Sequence, residues 1–524
     1  MNRDRSFAGL LAWAVCLVFL CACGTRKEGA ANSADAALRV VTPFRIPSLE
    51  PARPASYFLV EFAIAELPLM LDAKGELRPH LLESYERIDE RNWRLRARAN
   101  VRFQNGKPLT AAAMAAAMSR QLRESASTRA VLPGATVRAI TDRDVMLTTT
   151  RPDATVPAAL ADEQVFPIYD VEAVEAAQGD PARLIASGCF TGPYRPTSLD
   201  ERELRMSRFE QYWQGRPPLD AVSIRFIGDP QARVLAVQND EADLALYPPS
   251  EAQRMLAGAA NAYFVTSPRS HGGPRIILNL RNAPFDEVAV RQAFRAGLDY
   301  ESLARDVMEG VGEIATGFYP SIYPWAVPNQ KGDPAAAARL LEAAGWLASG
   351  EGPRMKNGKP LELVFLTYPQ QPDWAKIATA MQAQLAAIGV RVRIRQVDDI
   401  NSAMRAAMNA DAAWHAAINS PGLVTTGGAP DPFLREHLHS GGERNFGGVR
   451  DAELDWLLDE LGAAFASGRR TEILRRIQQI VIEEKAYEVR PVFLRARVVA
   501  GARWRGYQPS PQLHHLTWET KAEK

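Results

Sequence analysis

The residues with the most useful chemistry crowd into one stretch, 414–446, which carries Trp414, Asn419, Asp431, His437, His439 and Arg444. Neutral imidazole is a good nickel ligand and binds better as pH rises above its own pKa. Guanidinium groups grip carboxylates through paired hydrogen bonds; Arg120 and Arg123, far upstream, offer the same chemistry as Arg444. These side chains hold things rather than break bonds. The chain has no GxSxG nucleophile turn, HExxH, paired CxxC or GxxxxGK[ST] phosphate loop. Each residue also has a plainer role. His437 and His439 can flank a surface loop, Trp414 can be core or pocket wall, and the arginines can sit in solvated ion pairs. His514 and His515 form a tail pair. No tight cluster of His, Cys and carboxylate suggests a bare metal ion site.

Something must place those side chains, and the stretch 77–122 is the clearest element available. Residues 77–82 are apolar around Pro79 and suit the approach to a short helix. Residues 89–92 read as a turn. Trp93, Leu95 and Ala97 alternate with Arg94, Arg96 and Arg98, the period-two pattern of a half-buried strand. Asn105-Gly106 is a strong turn signal, and Thr110 is placed to cap a helix over the Ala/Met run that follows. Upstream, residues 37–42 read as a buried strand and 56–71 as a helix. Downstream, 135–150 carries two strands and 156–165 reads as helical. Residues 361–367, 375–388 and 390–397 read as strand, helix and strand, the pattern of an α/β lobe.

The 524 residues suit roughly three structural units, and a formal net charge of +1 argues against nucleic acid as a partner. Three of the four cysteines, Cys16, Cys21 and Cys23, lie at the N-terminus, so Cys189 has no disulfide partner in the body. Cys189 reads as a packed small residue. Arg3 and Arg5 precede an apolar run that is too short for a comfortable membrane span. Leu20-Cys21-Ala22-Cys23 fits a bacterial lipoprotein box, which predicts cleavage before Cys23, acylation of its thiol and a membrane anchor. Residues 23–36 then form a small polar tether.

Leu77, Pro79, Leu81, Ser84, Tyr85, Trp93, Leu95, Val101, Phe103, Asn105, Gly106, Pro108, Thr110 and Ala111 closely resemble the signature of the peptide/nickel group of ABC-importer solute-binding proteins, family 5. Gly188 to Tyr194, Tyr212-Trp213, the run from Asp229 to Asp243 and the run from Arg275 to Asp299 resemble further family motifs in family order. The resemblance implies an α/β, two-lobe periplasmic-binding-protein fold (type II, venus-flytrap) with an extra small α/β domain. Its expected plan is a signal peptide at 1–22, a tether at 23–36, lobe 1 at 37–55 and 166–274, the small domain at 56–165, lobe 2 at 275–488, and a return to lobe 1 with a tail at 489–524. It implies an exported monomer on the periplasmic or cell-envelope face, partnered by an ABC permease and ATPase subunits, with no cofactor and no enzymatic activity.

Peptide-binding relatives carry an Asp that neutralises the peptide amine. Asn419-Ser420-Pro421 stands in the comparable area here, and no such Asp precedes Asp431. Gly428 to Leu434 instead resembles a run of nickel-binding members, in which a following His ligates the metal of a bound chelate while Arg groups hold the chelator. That makes His439 the expected metal ligand and His437 the second candidate. Arg444, Arg120 and Arg123 become the chelator contacts, with Trp414 and Asn419 beside them. The expected solute is a nickel or other metal chelate. The alternatives are an oligopeptide or dipeptide, or a sensor or scaffold lipoprotein that feeds no transporter.

Overall fold

The computed structural model describes residues 37–53, 56–72, 76–406, 408, 414–419, 430–510 and 515–523. The lipoprotein box with Cys21 and Cys23, the tether, residues 420–429 and His514 lie outside the described residues.

Strand Ala37–Thr42 lies at the middle of the first sheet, parallel to Ala221–Phe226 on one side and Leu244–Leu246 on the other. Val40 and Val41 point to opposite faces and both are buried, which explains the unbroken apolar run of a strand covered on both faces. The sheet runs Ala262–Gly272, Phe493–Gly501, Leu244–Leu246, Ala37–Thr42, Ala221–Phe226, Glu203–Arg208, Tyr194–Leu199, and Gly312–Glu313 also pairs with Phe493–Gly501. A second sheet runs Arg391–Gln396, Glu362–Thr367, Ala416–Asn419, Arg275–Leu278, Glu488–Val489. Its parallel pair Glu362–Thr367 and Arg391–Gln396 needs a crossover, and helix Pro372–Ala386 supplies it.

The chain passes between the two sheets twice in neighbouring strands, from Gly272 to Arg275 and from Val489 to Phe493. The two passages touch. A Cβ on Gly273 would stand 2.2 Å from the Val492 carbonyl oxygen, so a side chain there would push the crossings apart. This is a mixed α/β, two-lobe arrangement joined by paired crossing segments.

A four-stranded antiparallel sheet, Leu82–Arg87, Asn92–Ala97, Asp144–Thr148, Thr136–Ala139, forms the additional module. Trp93, Leu95 and Ala97 are buried as their alternation predicts. Helix Ala111–Glu124 begins at Thr110, whose hydroxyl oxygen accepts from the Ala113 amide at 3.1 Å. The core beneath it, with Leu95, Met114 and Met118, is continuous with that of the first sheet at Val40 and Ile224.

Three local expectations differ from the structure. Residues 77–82 form no approach to a helix: Leu77–Pro79 pairs with Leu69–Leu71, and Leu82–Arg87 joins the module's sheet. The helix expected over 56–71 is only Tyr57–Glu61. Beyond it the chain turns at Ala63 (φ 54°) so that Glu66 can bridge to Ile168, and Gly192 approaches so closely that a Cβ there would lie 2.2 Å from the Ala63 oxygen. The helix expected over 156–165 stops at Ala159, because the Asp162 carboxylate accepts from the Gln164 amide at 2.8 Å and fixes a turn. In the first two cases tertiary pairing overrides a local pattern; in the third a local side-chain turn does.

Candidate functional site

A cavity of about 820 Å³ opens between segment 48–56, helix Ala111–Glu124 and residues Arg405, Glu443 and Arg444 of the second lobe. It is lined with charge, including Glu50, Arg53 and Glu124 besides the arginines. Volumes of this order suit a small solute.

Arg120 lines the cavity, but its own neighbours occupy it. It pairs with Glu50 at 2.9 Å and Glu124 at 2.8 Å, and it donates to the Tyr169 hydroxyl at 3.3 Å. Burial works against its charge, and Tyr169 and Glu50 outweigh burial, so the guanidinium is held firmly protonated. Arg123, one position off that face, is exposed and outside the lining. Arg444 also lines the cavity and crosses it. Its Nη2 donates to Gln164 Oε1 at 3.0 Å, while its Nε lies 3.2 Å from Glu436. Arg444 and Gln164 belong to opposite walls, so this hydrogen bond ties the walls together.

His439 ends helix Asp431–Leu438 and lies outside the cavity lining. Its Nδ1 accepts from the Gly441 amide at 2.9 Å, and its Nε2 faces Asp455 and Asp459 at 3.9 and 4.0 Å. His437 is buried, stacked on Phe433 with ring centroids 4.3 Å apart, and its Nδ1 lies 3.0 Å from the Phe433 oxygen. Burial first, then Arg275 and Arg444, push its pKa well below the usual imidazole value. Trp414 is in the core of the second sheet, and its carbonyl accepts from Asn279 and Asn282 at 3.2 and 2.8 Å. Asn419, at the end of its strand, donates to Asn401 at 3.1 Å. Among the described residues no group of three His, Cys, Asp or Glu is placed to hold a metal ion. Cys189 is fully buried, and burial pushes its thiol up to about 12, which suits a packing role.

Sequence reasoning missed the most unusual part of the cleft. Glu61 and Glu163 are only 3% and 5% exposed, and Oε2 of each has no hydrogen-bond partner. Burial raises both carboxyls well above the usual range, and Glu61 adds to the effect at Glu163. Asp162, beside them, is pushed up to about 6 by burial. Both acids act electrostatically on Tyr57 and Tyr247, as does Tyr368, and Arg444 acts on Tyr57. The cavity lining includes Ser56 and Gln164, the chain neighbours of Tyr57 and Glu163. The only sequence signal was a single acid, Glu61, inside the apolar run from Phe58 to Ala65.

Away from the cavity, Asp373 at the start of helix Pro372–Ala386 reaches the first lobe. It is 1% exposed and accepts from the Ser250 amide at 3.0 Å, the Ser250 hydroxyl at 2.9 Å and Arg497. Lys376, one turn on, meets Glu251 and Ser250. A second tie joins the small module to the second lobe, where Arg151 and Arg435 share Asp459 at 2.8 and 2.5 Å. The second lobe is thus tied to the first lobe and to the small module by residues outside the cavity lining.

A sequence profile of the bacterial extracellular solute-binding proteins, family 5 (middle region), matches residues 76–445. The nickel-binding protein NikA of Staphylococcus aureus is 23% identical over 436 residues, 83% of each chain. The nickel-binding periplasmic protein of Escherichia coli is 28% identical over 356 residues, 62% of this chain and 63% of the relative. The structure of S. aureus NikA with Ni(L-His)2 superposes with a TM-score of 0.81 at 21% identity, covering 93% of this chain and all of that one. The oligopeptide-binding protein AppA of Bacillus subtilis, in complex with a nonapeptide, gives 0.78 at 20% identity, covering 93% and 98%.

Proposed function

The chain belongs to the bacterial extracellular solute-binding proteins of family 5, and from that premise we propose that it captures a small solute between its lobes and delivers it to an ABC permease driven by ATPase subunits. The observation that carries this reading is the cavity itself, lined from both lobes and spanned by the Arg444–Gln164 hydrogen bond. A solute that touches both walls makes its full set of contacts only when the lobes are closed, so its binding energy shifts the population toward the closed form. Capture of this kind needs positioning and no bond-making.

The preferred solute is a nickel or other metal chelate, supported by the nickel-binding relatives. In that reading Arg444 meets a carboxylate of the chelate, and His439, His437, Arg120, Arg123, Trp414 and Asn419 remain the candidate contacts. His439 and His437 would have to leave the partners they have here. An oligopeptide is the second reading, favoured by the likeness to the nonapeptide-bound AppA. The division into lobe 1 (37–55 and 166–274), small domain (56–165) and lobe 2 (275–488) belongs to the proposal, as do export, lipid anchoring through Cys23 and a monomeric state. Calorimetry with nickel plus histidine, nickel plus EDTA and a mixed peptide pool tests the solute. Tight peptide binding without metal rejects the chelate. Unchanged uptake of nickel and peptides after deletion of the gene rejects transport.

A further inference from the structure

We propose that Glu61 and Glu163 form the subsite that receives a positively charged group of the solute, and that this pair decides the charge of the solutes the cleft accepts. The inference rests on the capture reading above and names the chemistry of that same cleft. The positive group is a protonated amine or the cationic centre of a metal–amine complex.

Two observations carry it. The first is an accounting of hydrogen bonds. A buried polar oxygen without a partner is costly, and native proteins leave few of them. Here two carboxyl groups share one interior region, each with an unpartnered, solvent-sealed Oε2, and among the described residues neither is in an ion pair. Arg444, a guanidinium within electrostatic reach of Tyr57, is already engaged by Glu436 and Gln164. Nearby Glu66 shows what this fold does with a carboxylate it needs for structure. Glu66 accepts from the Tyr212 hydroxyl at 2.7 Å and Trp213 Nε1 at 3.1 Å, and it pairs with His80 Nε2 at 2.8 Å.

The second observation is aromatic. Tyr57 and Tyr247 each lie within electrostatic reach of both acids and of Tyr368. Their ring faces attract cations and tolerate little else that is charged. Tyr57 and Tyr247 stay partly exposed, and Ser56 and Gln164, next in the chain to Tyr57 and Glu163, line the cavity. Carboxylates among tyrosine rings make a poor environment for an anion and a good one for an ammonium or a cationic complex. Charge here is set by protons when no cation is present. Two buried carboxyls close together hold a proton in place of the missing counter-charge, and an entering cation releases it.

The test uses the purified exported protein and three probes in calorimetry: nickel with one equivalent of L-histidine, nickel–EDTA, and the tripeptide Ala-Lys-Ala. The first and last carry net positive charge and the EDTA complex is negative. The wild type is expected to bind a positive probe at least tenfold more tightly than nickel–EDTA. The two positive arms tell a metal complex from a free amine. E61Q and E163Q should each weaken the bound probe about tenfold, and the double variant about a hundredfold, with circular dichroism unchanged. A second readout needs no variant. Titration in buffers of different ionisation enthalpy should show proton release by the wild type on binding. Equal affinity in the wild type and the double variant, binding without proton release, or preference for nickel–EDTA overturns the subsite and leaves capture standing. Binding of none of the three probes, together with unchanged uptake after deletion, overturns capture and the subsite together.

Discussion

Glu66 and the Glu61–Glu163 pair are all buried carboxyls in one part of the molecule, and they differ in what surrounds them. Glu66 has a tyrosine hydroxyl, an indole N–H and an imidazole converging on it. The pair has unpartnered oxygens and a ring of tyrosines. The first is a strut: it fastens the turn after helix Tyr57–Glu61 to Tyr212-Trp213. The second, in the proposal above, is the place that receives the solute's positive group. Burial alone does not separate structure from function in this protein, because all three acids are hidden to within a few per cent. Saturation of their hydrogen bonds does.

That contrast is easiest to break at its saturated end. Glu66→Ala takes the partner from the buried Tyr212 hydroxyl and from the part-buried Trp213 and His80, and should destabilise by about 4 kcal/mol, seen as a lowered urea midpoint. If it costs no more than Glu61→Gln, saturation is not the distinguishing property. Asp373 is a second saturated carboxyl, but one that joins the lobes. Asp373→Ala strands Arg497, which is 8% exposed at its side chain, and should cost about 3 kcal/mol. Unlike Glu66→Ala, it should also enlarge the radius of gyration in X-ray scattering without solute.

The unsaturated end predicts a pH dependence with a definite sign. Glu61, Glu163 and Asp162 have folded-state pKa values raised above 4.5, 4.5 and 3.8 respectively. A raised acid binds more protons folded than unfolded, so the stability it contributes is fully present below the unfolded pKa and is lost as pH rises through the folded one. The tyrosines these acids act on, Tyr57 and Tyr247, are pushed further up by burial and stay neutral between pH 4 and 7. Solute-free stability should therefore fall as pH rises over that range. The Glu61→Gln/Glu163→Gln double variant should flatten the fall and be more stable at pH 7 by about 1 kcal/mol. A denaturation series at several pH values checks both. The smallest effect belongs to Arg444, a cleft charge with partial saturation. Arg444→Ala removes one hydrogen bond across the cavity and an ion pair with Glu436, and should change stability by less than about 1 kcal/mol. It should still widen the solute-free scattering profile.

Much of this architecture could be read from residue order. Alternation at Trp93 to Ala97, the Asn105-Gly106 turn and the Thr110 cap are local patterns, and each is found where the pattern places it. The apolar strand Ala37–Thr42 and the strand–helix–strand run from Glu362 to Gln396 are equally local. Residues 56–71 and 156–165 hold shorter helices than their patterns suggest: Gly192, far along the chain, packs on the turn after the first, while the local Asp162–Gln164 turn follows the second. The site was less legible. Arg120 and Arg444 line the cavity, while Arg123 and His439 do not. Residues spaced suggestively along a chain need not converge in space.

Hydrophobic periodicity, turn residues and caps act over a few residues, so sequence alone determined the strands, the helices and the family to which the two lobes belong. Which carboxylates are fed by donors and which are left to face a solute depends on groups a hundred residues apart. Glu61 and Glu163 come within electrostatic reach only because two separate segments pack together, and Tyr368 and Arg444 are brought to Tyr57 from segments more distant still. That decision belongs to the tertiary structure, since desolvation and pairing are properties of a place and not of a residue type.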